Sequence, residues 1–249
     1  MKLELRDIRK TFRDNGPETL ALDGVSFAVE TGEFVVLIGP SGSGKSTICN
    51  LITGLIRPDG GHILLNGRLI DGQPGQVSYM PQRDLLLPWR TVLDNVILGP
   101  EIAGEPRDAA RQRARDLLPL FGLEAFTDAF PAALSGGMRQ RAALLRTFLM
   151  GRDVMLLDEP FGALDALTRR ELQGWLLDVW ARFRPTILFI THDVREAVML
   201  ADRVIILTPR PGRVRLELPI GLSRPRSDAS EAFIGLQAAL LHALEFANG

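Results

Sequence analysis

Gly39-Pro40-Ser41-Gly42-Ser43-Gly44-Lys45-Ser46 is the stretch of this chain on which the reading of its fold turns. It fits the pattern G-x-x-x-x-G-K-[ST], and each fixed position has a physical reason. Glycines let backbone N–H groups curl around an anion, and the helix that follows turns its positive end to the same place. Lys45 is long enough to reach the β- and γ-phosphates of a nucleotide, and the Ser46 hydroxyl can be offered to Mg²⁺, with Thr47 next in the same turn. The rival reading is a Gly/Ser-rich loop with a chance lysine. The flanks argue against it. Phe34-Val35-Val36-Leu37-Ile38 reads as a short strand apolar on both faces, as a parallel sheet requires. Residues 48–55 read as a helix that ends at Gly54 or Pro58, and lysine occurs only at Lys2, Lys10 and Lys45.

Outward from the loop, residues 2–30 read as short strands with turns, including the cluster Asp14-Asn15-Gly16-Pro17. Pro58-Asp59-Gly60-Gly61 is a turn before a strand pair expected around 63–65 and 77–80. From Thr91 to Gly151 the pattern becomes helical. Pro106 is placed to open a helix whose apolar set is Ala110, Ala114, Leu117, Leu118 and Phe121. A second helix is expected from about 137 to 150, with Gly151 just past its end. Residues 83–150 thus form a helical insertion within a single domain covering 1–249. Strands at 154–157, 186–190 and 204–207 then alternate with helices at 166–183 and 194–202, which implies a parallel sheet covered on both faces. The tail, 227–248, reads as one amphipathic helix with Phe233, Leu236, Leu240 and Leu244 on one side.

The chain has 249 residues, 46% of them apolar and 24% charged, which excludes a disordered, collagen-like or disulfide-stapled protein. Its net charge of −1 supplies no global field for nucleic acid or anionic lipid. The lone cysteine, Cys49, cannot close an intrachain disulfide or build a Cys-rich metal site; it fits a reducing compartment and a small buried position in the helix after the loop. No secretory signal is expected in the first 30 residues, and no run approaches the ~18 apolar residues of a membrane span.

Val154-Met155-Leu156-Leu157-Asp158-Glu159 is an apolar strand ending in two acids. Alone it is a plain strand end. Beside the phosphate loop, Asp158 can sit near Mg²⁺, directly or through water. Neighbouring strand residues point to opposite faces, yet past the strand's last residue the chain can turn Glu159 toward the γ-phosphate, where a carboxylate orients or deprotonates water.

Leu134-Ser135-Gly136-Gly137-Met138-Arg139-Gln140 stands in front of a helix and ahead of that strand. With the phosphate loop it resembles the ATP-binding-cassette ATPases, whose signature is an LSGGQ-type sequence, and the resemblance runs over about residues 3–215. It implies an α/β P-loop NTPase fold: a RecA-like core with a mainly parallel sheet, an N-terminal antiparallel β subdomain and a helical insertion subdomain. It also implies roles. Phe12 matches the aromatic that stacks on adenine; its plain alternative is a strand-face aromatic. Gln82, after Met80-Pro81, matches the glutamine that senses Mg²⁺ and the γ-phosphate and faces the membrane partner; otherwise it is a loop residue. Ser135, Gly136 and Gly137 match the signature that clamps the nucleotide held by the opposite subunit. Asp158 and Glu159 match the Mg²⁺-coordinating acid and the catalytic base, and Asp165, in Gly162-Ala163-Leu164-Asp165, matches the D-loop. His192, in Thr191-His192-Asp193, matches the histidine that holds the γ-phosphate; its plain alternative is a satisfied strand-end histidine. Two departures stand out: Met138 replaces the usual glutamine, a variant seen in importers, and Phe130-Pro131-Ala132-Ala133 lacks the polar residues some relatives carry.

The physics of helix ends agrees with the resemblance. A serine–glycine start to a helix is a second anion-binding end, although this chain already has one at 39–46. Two such ends per chain make sense if two copies sandwich each nucleotide head to tail, giving two equivalent composite sites. Leu85-Leu86-Leu87-Pro88-Trp89 is then either a docking patch or a loop over an inward-facing Trp. Together with the run 161–169 and Pro209-Arg210-Pro211-Gly212-Arg213, it is most similar to the nitrate, sulfonate and taurine importer ATPases, without a ligand-sensing domain. The resemblance thus implies ATP and Mg²⁺ as cofactors, a homodimer, integral-membrane permease subunits and, indirectly, an extracytoplasmic solute-binding protein. It implies a peripheral position on the cytoplasmic side of the inner membrane. A soluble cassette ATPase acting on nucleic acid is the alternative, disfavoured by a chain with one cassette, one cysteine and no basic stripe. A small-molecule kinase would leave Ser135-Gly136-Gly137 and His192 unexplained.

Overall fold

β3 (Phe34–Ile38) is buried at every position and lies inside a six-stranded sheet. On one side it pairs in parallel with β8 (Thr186–Ile190), which pairs with β7 (Val154–Asp158), which pairs with the edge strand β6 (Ser78–Met80). On the other side it pairs in parallel with β9 (Arg203–Leu207), and β10 (Val214–Pro219) closes that edge antiparallel. The computed structural model describes residues 2–13 and 17–245. Asp14, Asn15 and Gly16 of the expected turn cluster, and residues 246–248 of the expected tail helix, lie outside the described residues.

Parallel pairing decides where the chemistry goes. The register sets Leu37 beside Ile190, Asp158 beside Ile190 and Met80 beside Leu157. The segments leaving β3, β6, β7 and β8 therefore emerge along one edge, where open α/β sheets bind ligands. Those segments carry Gly39, Gln82, Glu159 and His192.

A second, antiparallel sheet runs β2–β1–β4–β5, from β1 (Leu3–Phe12), β2 (Thr19–Val29), β4 (Gly60–Leu65) and β5 (Arg68–Leu69). The expected pairing of 63–65 with 77–80 is corrected here: the first segment is β4, the second contributes β6 of the other sheet. The reason is local. Asn66 and Gly67 both adopt positive φ, 52° and 76°, closing a tight hairpin in which β5 takes the place beside β4.

Alternation along β3 divides the core. Phe34, Val36 and Ile38 belong to an apolar cluster with the helices, and Val35 and Leu37 to one shared with β1, β2 and β4. Between β6 and β7 lie α2 (Val92–Val96), α3 (Leu98–Ile102), α4 (Arg107–Leu117) and α5 (Gly136–Leu149). Pro106 stands just ahead of α4; Ala110 and Ala114 are buried, and Leu118 and Phe121, although past the helix end, are buried too. α6 (Ala166–Phe183) and α7 (Val194–Leu200) cover the sheet, with Trp180 in the core. The tail helix α8 (Glu231–Glu245) buries Phe233 and Leu240 and packs Leu236 and Leu244 against the same cluster. Among the described residues no helix is long and apolar enough to cross a membrane.

Candidate active site

The phosphate loop is closed by glycines in conformations that L side chains avoid. Gly42 and Gly44 have φ of 80° and 91°, and a Cβ on Gly44 would lie 2.5 Å from Leu22 Cδ2. This left-handed glycine starts α1 (Lys45–Ile52) a few residues earlier than the expected 48–55, so Lys45 and Ser46 occupy its first turn. Lys45 Nζ donates to the carbonyls of Gly39 and Pro40 at 2.7 and 3.0 Å. Burial lowers its pKa, and the charges of Glu159 and Asp158 oppose that shift. Ser43 is buried and its Oγ has no hydrogen-bond partner among the described residues.

The two acids at the end of β7 face this loop through different geometries. Asp158 is the strand's last residue; Tyr79, on β6, donates its hydroxyl to Asp158 Oδ2 at 3.4 Å. Burial, with the neighbouring charge of Glu159, pushes the Asp158 carboxyl above its ordinary range, and the Cys49 thiol, the Tyr79 hydroxyl and Lys45 pull it partway back. Cys49 is buried, as expected, and burial followed by the nearness of Asp158 raises its pKa so that it stays a neutral thiol. Glu159 has φ of 45°, a left-handed turn that breaks strand alternation and brings its carboxylate round to the same side. Its Oε2 accepts from Gln82 Nε2 at 3.3 Å, and its Oε1 lies 3.1 Å from His192 Nδ1. Glu159, Gln82 and His192, from three strand ends, thus form one connected group.

His192 is carried by a braced turn. Thr191 donates its hydroxyl to buried Glu196 at 2.6 Å, Gln173 donates to the other oxygen of that carboxylate at 3.0 Å, and Asp193 caps α7.

These elements surround a cavity of about 480 Å³. Phe12, Thr19 and Ala21 line one end; Ser41, Gly42, Gly44, Lys45, Ser46 and Thr47 form its floor; Glu159, His192 and Arg210 complete it. Phe12 therefore faces the phosphate loop's cavity. Ser135, Gly136, Gly137 and Asp165 do not line it. Ser135 is exposed and caps α5, accepting from Met138 N–H at 3.2 Å. Gly137 lets α5 sit on α6, since a Cβ there would lie 2.8 Å from Thr168 Cγ2. Asp165 caps α6, accepting from the N–H groups of Leu167 and Thr168 at 3.1 Å each. Trp89 is 71% exposed and Leu85 56%, so the Trp89 ring points outward and the inward-facing alternative falls.

Among the described residues no cluster of three or more His, Cys, Asp or Glu side chains is arranged to hold a metal ion. One carboxylate, Asp158, near Lys45 at the start of the helix that also carries Ser46, fits Mg²⁺, which takes one or two carboxylates and completes its shell with substrate phosphates and water. Sequence reading missed Tyr79 and Arg210. A tyrosine among the buried residues of β6 was a usable signal for the first; the second depends on how two distant loops meet.

A glycine cradle leading into a helix, at the C-terminal edge of a parallel sheet and facing carboxylates from the strand next but one, defines a P-loop nucleotide-hydrolysing protein. The model of the ABC transporter family matches residues 22–162, more than half of the chain, and the chain belongs to that family and is an ATPase of it. It is 42% identical to an uncharacterized ABC transporter ATP-binding protein of Methanocaldococcus jannaschii, covering 98% of this chain and 92% of that one. It is 43% identical to a taurine import ATP-binding protein of Rhizobium johnstonii, covering 85% and 81%. With a nitrate import ATP-binding protein of Synechocystis it shares 42% identity, over 89% and 84%. Its fold matches a dimeric ATP-binding cassette solved in a post-hydrolysis state with ADP and phosphate, with a TM-score of 0.75 and 29% identity over 89% of this chain and 100% of that one.

Proposed function

We propose that this chain energises an ABC import system: two copies close head to tail around ATP, hydrolyse it, and drive a separate membrane permease. One observation carries the proposal. Exposed Ser135, half-buried Gly136 and buried Gly137 form a helix start that lines no part of the cavity holding Lys45, so within one copy the second phosphate-binding end has no phosphate to bind. A second copy supplies one, and the dimeric, ADP- and phosphate-bound state of the structural neighbour supports that arrangement.

In this reading Phe12 stacks on adenine and residues 39–47 cradle the phosphates, with Lys45 exchanging its two carbonyl partners for phosphate oxygens. Asp158, Ser46 and Gln82 hold Mg²⁺, which when bound neutralises charge developing on the phosphates. Glu159 takes the proton of the attacking water, and Gln82 and His192 hold its two oxygens in place. Ser135, Gly136, Gly137 and Asp165 act on the nucleotide of the opposite copy. ATP binding closes the dimer and hydrolysis releases it, so the work comes from differential affinity for the two nucleotide states. The names of the relatives favour a small anionic or zwitterionic solute such as nitrate, a sulfonate or taurine. The chain would sit peripherally on the cytoplasmic side of the inner membrane, held to the permease through Leu85 and Trp89, and fed indirectly by an extracytoplasmic solute-binding protein.

The test is mild-detergent extraction of cells expressing a tagged chain, alone and as Trp89→Ala, with identification of what co-purifies. A polytopic membrane protein recovered with the parent chain and lost with the variant is expected. Recovery with nucleic acid and no membrane protein would favour the soluble-ATPase alternative.

A further inference from the structure

Residues 208–213, between β9 and β10, are fastened to β2 and lie against the phosphate loop at Ser43. The Gly212 N–H donates to Ala21 O at 2.9 Å, and its carbonyl accepts from Asp23 N–H at 3.0 Å. A Cβ on Gly212 would lie 2.1 Å from Ser43 O, so only glycine admits this approach. Thr208 Oγ1 donates to Pro211 O at 3.0 Å and accepts from Arg213 N–H at 2.9 Å, while the Arg213 guanidinium pairs with Asp23. This bracing sets Arg210 in the wall of the 480 Å³ cavity that Phe12 and Lys45 also line. Its Nη2 lies 3.6 Å from where a Cβ on Gly42 would stand. Neighbouring Arg203, Arg213 and Arg224 are all paired with acids, but among the described residues no hydrogen bond or ion pair engages the guanidinium of Arg210.

Lys45 is half-buried and the charges of Glu159 and Asp158 act on it, so the cavity's one lysine is engaged by two acids before a polyphosphate arrives. A guanidinium beside Gly42 supplies a second fixed cation there, and its planar fork matches phosphate oxygens.

We infer that Arg210 is a nucleotide-binding residue: its guanidinium takes a phosphate oxygen of the nucleotide in this cavity, as a second cation working with Lys45. The inference rests on the reading that the cavity holds ATP.

The experiment is equilibrium binding of a non-hydrolysable fluorescent ATP analogue, with Mg²⁺, to the full chain and to Arg210→Ala and Arg210→Lys. Thermal melting of each ligand-free protein is recorded alongside. Losing a charge-assisted phosphate contact weakens binding about tenfold or more in Arg210→Ala. Arg210→Lys recovers part of it, and the ligand-free melting temperatures agree, which a bracing role would not permit. Unchanged affinity in Arg210→Ala overturns the inference, as does a defect seen only in association of two nucleotide-loaded copies. If the parent chain itself fails to bind the analogue, the nucleotide reading falls as well; parental binding with an indifferent variant sinks this inference alone.

Discussion

Glu159 reaches the cavity because of one backbone dihedral. Had the residue after Asp158 kept strand geometry, the two carboxylates would point to opposite faces of the sheet; at φ 45° they serve one site. The motif residues were legible at this scale because their requirements are local: glycines for positive φ, a lysine at fixed distance, acids at a strand end. Tyr79 was not, since its meaning comes from β6 lying beside β7, a pairing of residues far apart in sequence. Its hydroxyl is one of two groups besides Lys45 that hold the Asp158 carboxyl. Tyr79→Phe should therefore raise the Mg²⁺ concentration for half-maximal ATPase by about tenfold, the lower end of what losing a partner of a metal ligand does. A Mg²⁺ titration of steady-state phosphate release measures this, and an unshifted curve would remove Tyr79 from the site.

The strands and helices from 154 to 207 were readable almost to the residue, because short fully apolar runs alternate with amphipathic stretches. What could not be read was partnership. The hairpin at Asn66-Gly67 sent β4 to the antiparallel sheet, and β10, with no fully buried residue, closes the edge of the other sheet rather than adding to its core. α7 illustrates what an element does for the site. Its buried Glu196 accepts from Thr191 and Gln173 and so braces the turn bearing His192. Burial pushes the Glu196 carboxyl above its ordinary 4.5, an effect that the Thr191 hydrogen bond only partly offsets. The folded chain thus holds this proton more tightly than the unfolded one, and stability falls as pH climbs from 4.5 through the folded pKa. Glu196→Gln removes that slope. Its melting temperature relative to the parent should rise as pH climbs above 4.5, whereas a difference independent of pH would contradict the assignment.

At the scale of the whole molecule, cavity and signature stand apart. Phe12, the phosphate loop, Glu159 and His192 line the cavity. The groups that would close it, Ser135 to Gly137 and Asp165, sit elsewhere on the same chain. Cavity and signature were both read from motifs; that Ser135, Gly136, Gly137 and Asp165 line no part of the cavity is seen only in three dimensions. The most direct test is light scattering on purified Glu159→Gln, which should bind ATP without turning it over. With Mg²⁺ and ATP the mass should double relative to one 27.4 kDa copy, and it should return to a single copy with ADP, without nucleotide, or when Ser135→Arg is added. A Glu159→Gln chain saturated with ATP yet remaining one copy in mass would contradict the account.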